Sequence, residues 1–144
     1  MKQQGKPSKP WVSPDTRNYL SAYGRLQVEN GIRIITSIDF CRYYQWLIFK
    51  KFPHIKTQLP RHGAHITLCS PVIHGISDFS LAKSYKGKKV EFKYSPVDIY
   101  QSKVNFWIPV VSCPIYKEMK KLLRFEEKRG WWGLHITICN SKFN

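Results

Sequence analysis

The sequence predicts an α+β fold in which a sheet carries its helices on one side. Three observations predict it. Extended and helical patterns follow one another as strand, helix, strand, two hairpin-like strands, helix, strand. Each of the two helical segments has an apolar stripe at i, i+4, i+7 and i+8. A short segment also occurs twice, as Gly63-Ala-His-Ile-Thr-Leu-Cys69 and Gly133-Leu-His-Ile-Thr-Ile-Cys139, each time after a capped amphipathic helix and a short loop. The echo divides the chain into two half-domains of similar design, strand then helix then motif strand, related by a pseudo-two-fold axis.

The elements follow in order. Residues 1–14 are polar, basic and proline-rich, and are expected to form a flexible basic arm, with residues 15–144 as a single domain. The β-branched run from Gly31 to Ile38 reads as a strand. Asp39 is placed to cap a helix whose apolar face is Phe40, Tyr44, Leu47 and Ile48, until Pro53 forbids its continuation. A short strand spans His65 to Cys69, and the Lys- and Ser-rich stretch through Lys83 to Lys89 reads as an exposed connection. Val90, Phe92 and Tyr94 share one face of the next strand. Val104, Phe106, Ile108 and Val110 repeat that pattern and leave Asn105 and Trp107 on the opposite face. Ser112 and Pro114 form a helix start signal, Ile115, Met119, Leu122 and Leu123 supply its stripe, and Gly130 is the expected stop. The last strand runs over Leu134 to Cys139.

Composition narrows the function classes. A chain of 144 residues with 42% hydrophobic and 15% aromatic content is one ordinary domain, able to bury roughly 70% of its unfolded surface without a disulfide or metal staple. Against this background the charge stands out, 24 Lys+Arg against 9 Asp+Glu for a formal +15. Such a surface repels itself and suits an anionic partner, whether nucleic acid, nucleotide or anionic membrane. The longest apolar run, Trp46 to Phe49, is far short of a spanning helix, and the basic start leads into no apolar signal segment, so a cytoplasmic protein is expected. Cys41, Cys69, Cys113 and Cys139 form no C-x-x-C pair and read as reduced, buried thiols.

The repeated motif carries the chemistry. Side chains alternate along a strand, so His65 and Thr67 share one face while Ile66 and Leu68 share the other, and His135 and Thr137 lie together opposite Leu134, Ile136 and Ile138. The aliphatic sides must meet the helices. Two imidazoles and two hydroxyls are thereby sent to the uncovered face, where they converge if the two strands are central. A lone His-x-Thr is most simply a sheet-surface pair, but duplication with matched flanks favours a site. Cleaving a phosphodiester beside a 2′-hydroxyl needs one base and one acid, and imidazole can hold either role near neutrality. The threonines would donate hydrogen bonds to the nonbridging oxygens as their charge grows. Sequence leaves open which histidine is the base.

His65-Ile-Thr67-Leu and His135-Ile-Thr137-Ile resemble the paired H-x-[ST]-aliphatic signatures of the 2H phosphoesterase superfamily. The likeness extends over about residues 25 to 144 by order of elements, with the specificity in the two motifs. It implies a bilobal fold, two pseudo-symmetric sheet lobes with helices on the outer side and a central groove, and metal-independent cleavage with no cofactor. It also implies His65, Thr67, His135 and Thr137 as the catalytic set. The short chain and the Leu59-Pro60-Arg61 approach to the first motif are similar to the phage anti-CBASS phosphodiesterases. That likeness implies hydrolysis of cyclic di- or trinucleotide signals in a host cytoplasm, as viral immune evasion, with Arg61 at the substrate. RNA 2′,3′-cyclic ends and 2′,5′-oligoadenylate are the alternatives within the superfamily. The motifs here are followed by Cys-Ser and Cys-Asn rather than an aromatic or basic residue, so base recognition does not carry over.

Two further readings compete. His62, His65, Cys69 and His74 cluster in sequence, but i, i+3 on a strand points side chains to opposite faces and no carboxylate joins them, so no metal is expected. A non-catalytic single-stranded RNA-binding module would use aromatics as a stacking platform amid the Lys and Arg. Tyr23, Trp107 and Trp132 are the candidate substrate-binding aromatics under either reading, and no membrane or protein partner is expected.

Overall fold

The structure is a computed structural model, and it describes residues 19–96, 98–127 and 133–141. The expected arm at residues 1–14, the stop at Gly130 and the candidate Trp132 lie outside the described residues. The fold mixes helices and strands, as expected, but its sheet closes into a barrel and does not stand as two distinct lobes beside a groove. Strands β1 (Leu20–Val28), β2 (Ile32–Ile35), β3 (Thr57–Gln58), β4 (His65–Cys69), β5 (Lys89–Tyr94), β6 (Tyr100–Ser102), β7 (Asn105–Ser112) and β8 (His135–Ser141) are interleaved with α1 (Ile38–Lys51), α2 (Pro71–His74) and α3 (Pro114–Leu123). A 3₁₀ helix, Ser80–Tyr85, precedes β5 and buries Ala82, so the stretch ahead of Lys89 is partly ordered helix rather than a bare exposed connection.

The sheet runs β3-β8-β4-β2-β1-β5-β7-β6, and an additional β8–β7 pairing closes six of these strands into an antiparallel barrel. The two halves repeat one connectivity. In the first, β2 lies between β1 and β4, with α1 between β2 and β4 in the chain; in the second, β7 lies between β5 and β8, with α3 between β7 and β8. The halves join at β1–β5 and at β4–β8. At the second join Ile66 pairs with Ile136, the equivalent positions of the two motifs.

Physical chemistry accounts for the differences from the sequence reading. Ser37, not Asp39, caps α1: its Oγ accepts the Asp39 N–H at 3.1 Å, which leaves Asp39 in the first turn, where a carboxylate favours the helix dipole. Asp39 also faces Arg42 at 3.4 Å. The helix stops at Lys51, before Pro53, and buries Cys41, Tyr44 and Ile48, with Phe40 and Leu47 partly buried beside them. Pro114 takes the first turn of α3 after Cys113. That helix ends at Leu123, where Arg124 turns left-handed at φ 54°, well before Gly130. Its stripe buries Ile115, Tyr116 and Met119, while Leu122 and Leu123 are only partly buried.

The sequence reading lacks the short β3, α2 and β6 and, more consequentially, the nine-residue β1. Its inward positions alternate Ala22, Gly24, Leu26 and Val28, and the two small residues hide the period-two signal. Gly24 is small for a reason. A Cβ there would lie 2.4 Å from Ile34 Cγ2 and 2.6 Å from the Ile35 carbonyl oxygen, so the backbones of β1 and β2 approach through the space a side chain would fill. Gly24→Ala is therefore expected to lower stability by about 1–3 kcal/mol, as overpacking does. Urea denaturation checks this, and a midpoint equal to wild type would refute the close approach.

The apolar face is one continuous surface. Leu26, Ile34, Ile66, Ile136 and Ile108 are register neighbours across five strands, each with 3% exposure or less. Met119 and Tyr116 of α3 belong to the same cluster as Ile66, while Tyr44 and Ile48 of α1 pack with Phe106, Ile108 and Ile138. All four cysteines lie in this core as free thiols. Burial pushes Cys41 up to about 12 and Cys69, Cys113 and Cys139 up to about 11, so they are inert thiols at neutral pH. No described helix is long and apolar enough to cross a membrane.

Candidate functional site

The opposite face of the same strands gathers the repeated motif. β4 and β8 pair antiparallel at Ile66 and Ile136, so His65 and Thr137 flank that pair on one side and Thr67 and His135 on the other. The two rings are near enough that the charge of His65 is felt at His135. The pairings continue outwards. Ile35 pairs with His65 and Arg33 with Thr67 on one side, while Trp107 pairs with Thr137 and Pro109 with His135 on the other. Each motif is half-buried at its His and Thr and fully buried at its aliphatic residues, as the alternation requires.

Both imidazoles are held in the same way. Nδ1–H of His65 donates to the Gly63 carbonyl oxygen at 3.1 Å, and Nδ1–H of His135 donates to the Gly133 carbonyl oxygen at 2.9 Å. A carbonyl only accepts, so this contact places a proton on Nδ1 and leaves Nε2 as the acceptor of the neutral ring. The two glycines make the contact by adopting φ of +81° and +88°, a region that L side chains avoid. The Gly in each motif is thus a positioning residue. Sequence showed the repetition of Gly63 and Gly133 but not its use, because a backbone angle leaves no mark beyond the residue type.

Burial is the main influence on both rings and lowers their pKa. At His65 the glycine carbonyl partly opposes this, and the nearby Arg33 and His62 charges lower it further. At His135 the Gly133 carbonyl again opposes, and His65 adds to the lowering. The sign for stability follows. A histidine whose folded pKa is depressed contributes stability that is complete above its unfolded value near 6.5 and is lost as pH falls towards the folded value. NMR titration of the ring nitrogens is expected to give both midpoints below about 6.5, with Nδ1 carrying the proton in the neutral form. A midpoint above that value for either ring would contradict the burial account.

The remaining candidates fall in different places. Trp107 borders the site: it is 2% exposed, its ring stacks on Tyr100 at 4.8 Å with an 18° interplanar angle, and its centroid is 5.2 Å from the His135 ring. It makes a wall beside His135 rather than an open stacking platform, because the strand is covered on both faces here, with Phe106, Trp107 and Ile108 all buried. Tyr23 shares the face of Gln27 and Arg33 but sits on β1 opposite Glu91, 51% exposed, with Lys89 Nζ 4.8 Å from its ring centroid. Arg61 is exposed in the turn before β4 and does not line the cavity beside Thr67. The quartet is brought together; Tyr23 and Arg61 are not brought to it.

Arg33 is the site residue that sequence reasoning missed. Its β-branched neighbours identified a strand, and only the β2–β4 register sets it beside Thr67. There it donates to Gln27 Oε1 at 2.8 Å and brings a fixed cation next to the quartet. Among the described residues no group of three or more His, Cys, Asp or Glu side chains is gathered as a metal site. The sequence cluster is dispersed: His62 is exposed, Cys69 is buried, and His74 Nδ1 accepts the Ser70 N–H at 3.1 Å while its ring packs on Phe125. No protein-family model, curated protein or solved structure matches the chain.

Proposed function

We propose that this chain is a 2H-type phosphodiesterase that cleaves small, ribose-containing phosphodiesters without a metal, with cyclic di- and trinucleotides ahead of RNA 2′,3′-cyclic ends and 2′,5′-oligoadenylate. The observation that carries the proposal is the crossed His-Thr arrangement at the β4–β8 join, with both imidazoles tied through Nδ1 to a glycine carbonyl. On this reading the repeated connectivity is two lobes closing one barrel, and the shared polar face is the groove between them.

The chemistry follows from the arrangement. A phosphate seated over Ile66 and Ile136 has one imidazole near each end and one hydroxyl near each nonbridging oxygen. Nε2 of the neutral histidine takes the proton of the attacking 2′-hydroxyl, and the P–O bond to the nucleophile forms. The other histidine, protonated, gives its Nε2 proton to the departing 5′-oxygen as that P–O bond breaks. The product is a 2′,3′-cyclic phosphate and a free 5′-hydroxyl; in a 2′,5′-linked substrate the vicinal 3′-hydroxyl is the nucleophile, and where the substrate is already a 2′,3′-cyclic phosphate, water attacks and a ribose 2′- or 3′-oxygen leaves with the proton. Each glycine carbonyl supports both states, since Nδ1–H persists in the neutral and the protonated ring. Thr67 and Thr137 stabilise the charge that grows on the phosphate, and Arg33 adds a fixed cation beside Thr67. The remaining excess of the +15 is a field that gathers polyanions. The likeness to the phage enzymes points to blocking of cyclic-nucleotide antiviral signalling as the biological role.

A product assay over cyclic dinucleotides, cyclic trinucleotides, 2′,5′-oligoadenylate and RNA with a 2′,3′-cyclic end tests the proposal, run with and without EDTA. Turnover of at least one ribose substrate, unchanged by EDTA, is expected. A deoxyribose analogue should resist if the internal hydroxyl attacks. Absence of cleavage across the panel, or its abolition by EDTA, would refute the proposal and leave binding without turnover as the better account.

A further inference from the structure

A cavity of about 420 Å³ opens on the Thr67 side of the quartet, lined by Gln27, Glu29, Asn30, Gly31, Arg33, Thr67, Cys69 and Ser70. Its volume is in the range of small-molecule sites, roughly 300 to 1,000 Å³. The turn between β1 and β2 forms its rim, and Gly31 fixes where that turn lies: at φ +144°, a Cβ there would sit 2.9 Å from the Cys69 carbonyl oxygen at the end of β4. Donors and acceptors are sorted inside it. Gln27 accepts from Arg33 through Oε1, which turns its amide nitrogen outwards as a donor, and Arg33 has further N–H groups beyond the one it gives to Gln27. Glu29 supplies the acidic acceptor at the rim.

That carboxylate is the informative residue. The chain has only 9 acidic side chains, and one beside a phosphate-binding quartet opposes an anionic ligand. A solvated turn acid is the plain alternative. The cost is offset if the ligand presents two adjacent N–H donors to Glu29 while its acceptors face Arg33. Guanine has this pattern: N1–H and N2–H on one edge, O6 and N7 as acceptors on the other. Adenine meets a carboxylate with one donor and one lone pair.

Resting on the phosphodiesterase reading for the position of the phosphate, we propose that the cavity between the β1–β2 turn and Thr67 is a guanine-selective base pocket, with Glu29 as acceptor and Arg33 as donor. The preferred substrates are then guanine-containing nucleotides with the base on the Thr67 side and the scissile phosphate over the quartet.

Two measurements test this separately from turnover. Titration of the wild-type chain with GMP, IMP and AMP is expected to give affinities in that order, with GMP at least about tenfold tighter than AMP. Glu29→Gln, at an exposed turn position, is expected to remove most of the GMP preference and leave AMP binding unchanged. In parallel, kcat/KM for a cyclic di-GMP substrate should exceed that for cyclic di-AMP by a similar factor in wild type only. Cleavage with no guanine preference overturns the pocket and keeps the phosphodiesterase. Guanine preference that depends on Glu29, without cleavage, supports the pocket and overturns the phosphodiesterase. Equal affinities, or a preference that survives Glu29→Gln, overturn the pocket.

Discussion

His65→Ala and His135→Ala are each expected to lower kcat/KM by about 10²–10⁴-fold on whichever substrate the chain cleaves, the range typical of removing a general acid or base. The two losses should not multiply. Base and acid act in one step, so removing either leaves the other little to do, and the double variant is expected to be about as slow as the weaker single variant. The variants should fold, because each ring is tied through Nδ1 to a glycine carbonyl within its own motif. Initial rates with circular dichroism on the same samples check both points. A wild-type rate in either single variant would sink the proposed mechanism, and a fully multiplicative double variant would show that the two rings act in separate steps.

Ile136→Ala is expected to cost about 2–5 kcal/mol of folding free energy. Ile136 is fully buried and pairs with Ile66 on one side and Ile108 on the other, so it lies at the join that closes the barrel. Removing its side chain leaves a cavity between two stiff strands that cannot collapse around it. For a domain of this size about 3–4 °C of Tm accompanies each kcal/mol, so a fall on the order of 10 °C is expected by calorimetry. A change under about 1 kcal/mol would argue that the β4–β8 join contributes little to stability. The same variant should weaken activity in proportion to native population, since Ile66 and Ile136 are the residues between the two His-Thr pairs.

Much of this molecule was written locally. The strands at His65 and Lys89 begin and end as the alternation requires, because one face must be apolar for the helices and the other polar. The α1 stripe and Pro53 likewise bounded that helix. What local pattern could not supply was pairing. β1 hides because two of its core-facing residues, Ala22 and Gly24, are small, and Gly24 is so because the β2 backbone fills its side-chain space, a requirement visible only once the two strands are side by side. Ser37 displaced Asp39 as the cap because the chain becomes helical at Ile38, a boundary on which both residues have plausible chemistry. Arg33 looked like one polar residue in a β-branched run until the register set it opposite Thr67.

The sequence by itself determined the chemistry on offer. Two His-x-Thr strands with aliphatic opposite faces can only send their imidazoles and hydroxyls to one side of a sheet whose other side is covered, and duplication made that set worth reading as a site. Tertiary structure decided how the four groups meet. The antiparallel pairing of Ile66 with Ile136 crosses the motifs, so that each histidine lies on the same side of that pair as the other motif's threonine, and the positive φ of Gly63 and Gly133 turns a carbonyl onto each Nδ1. Pairing partners and backbone sign are long-range and conformational quantities, set by how strands from distant parts of the chain close a ring, and a residue's type alone does not encode them.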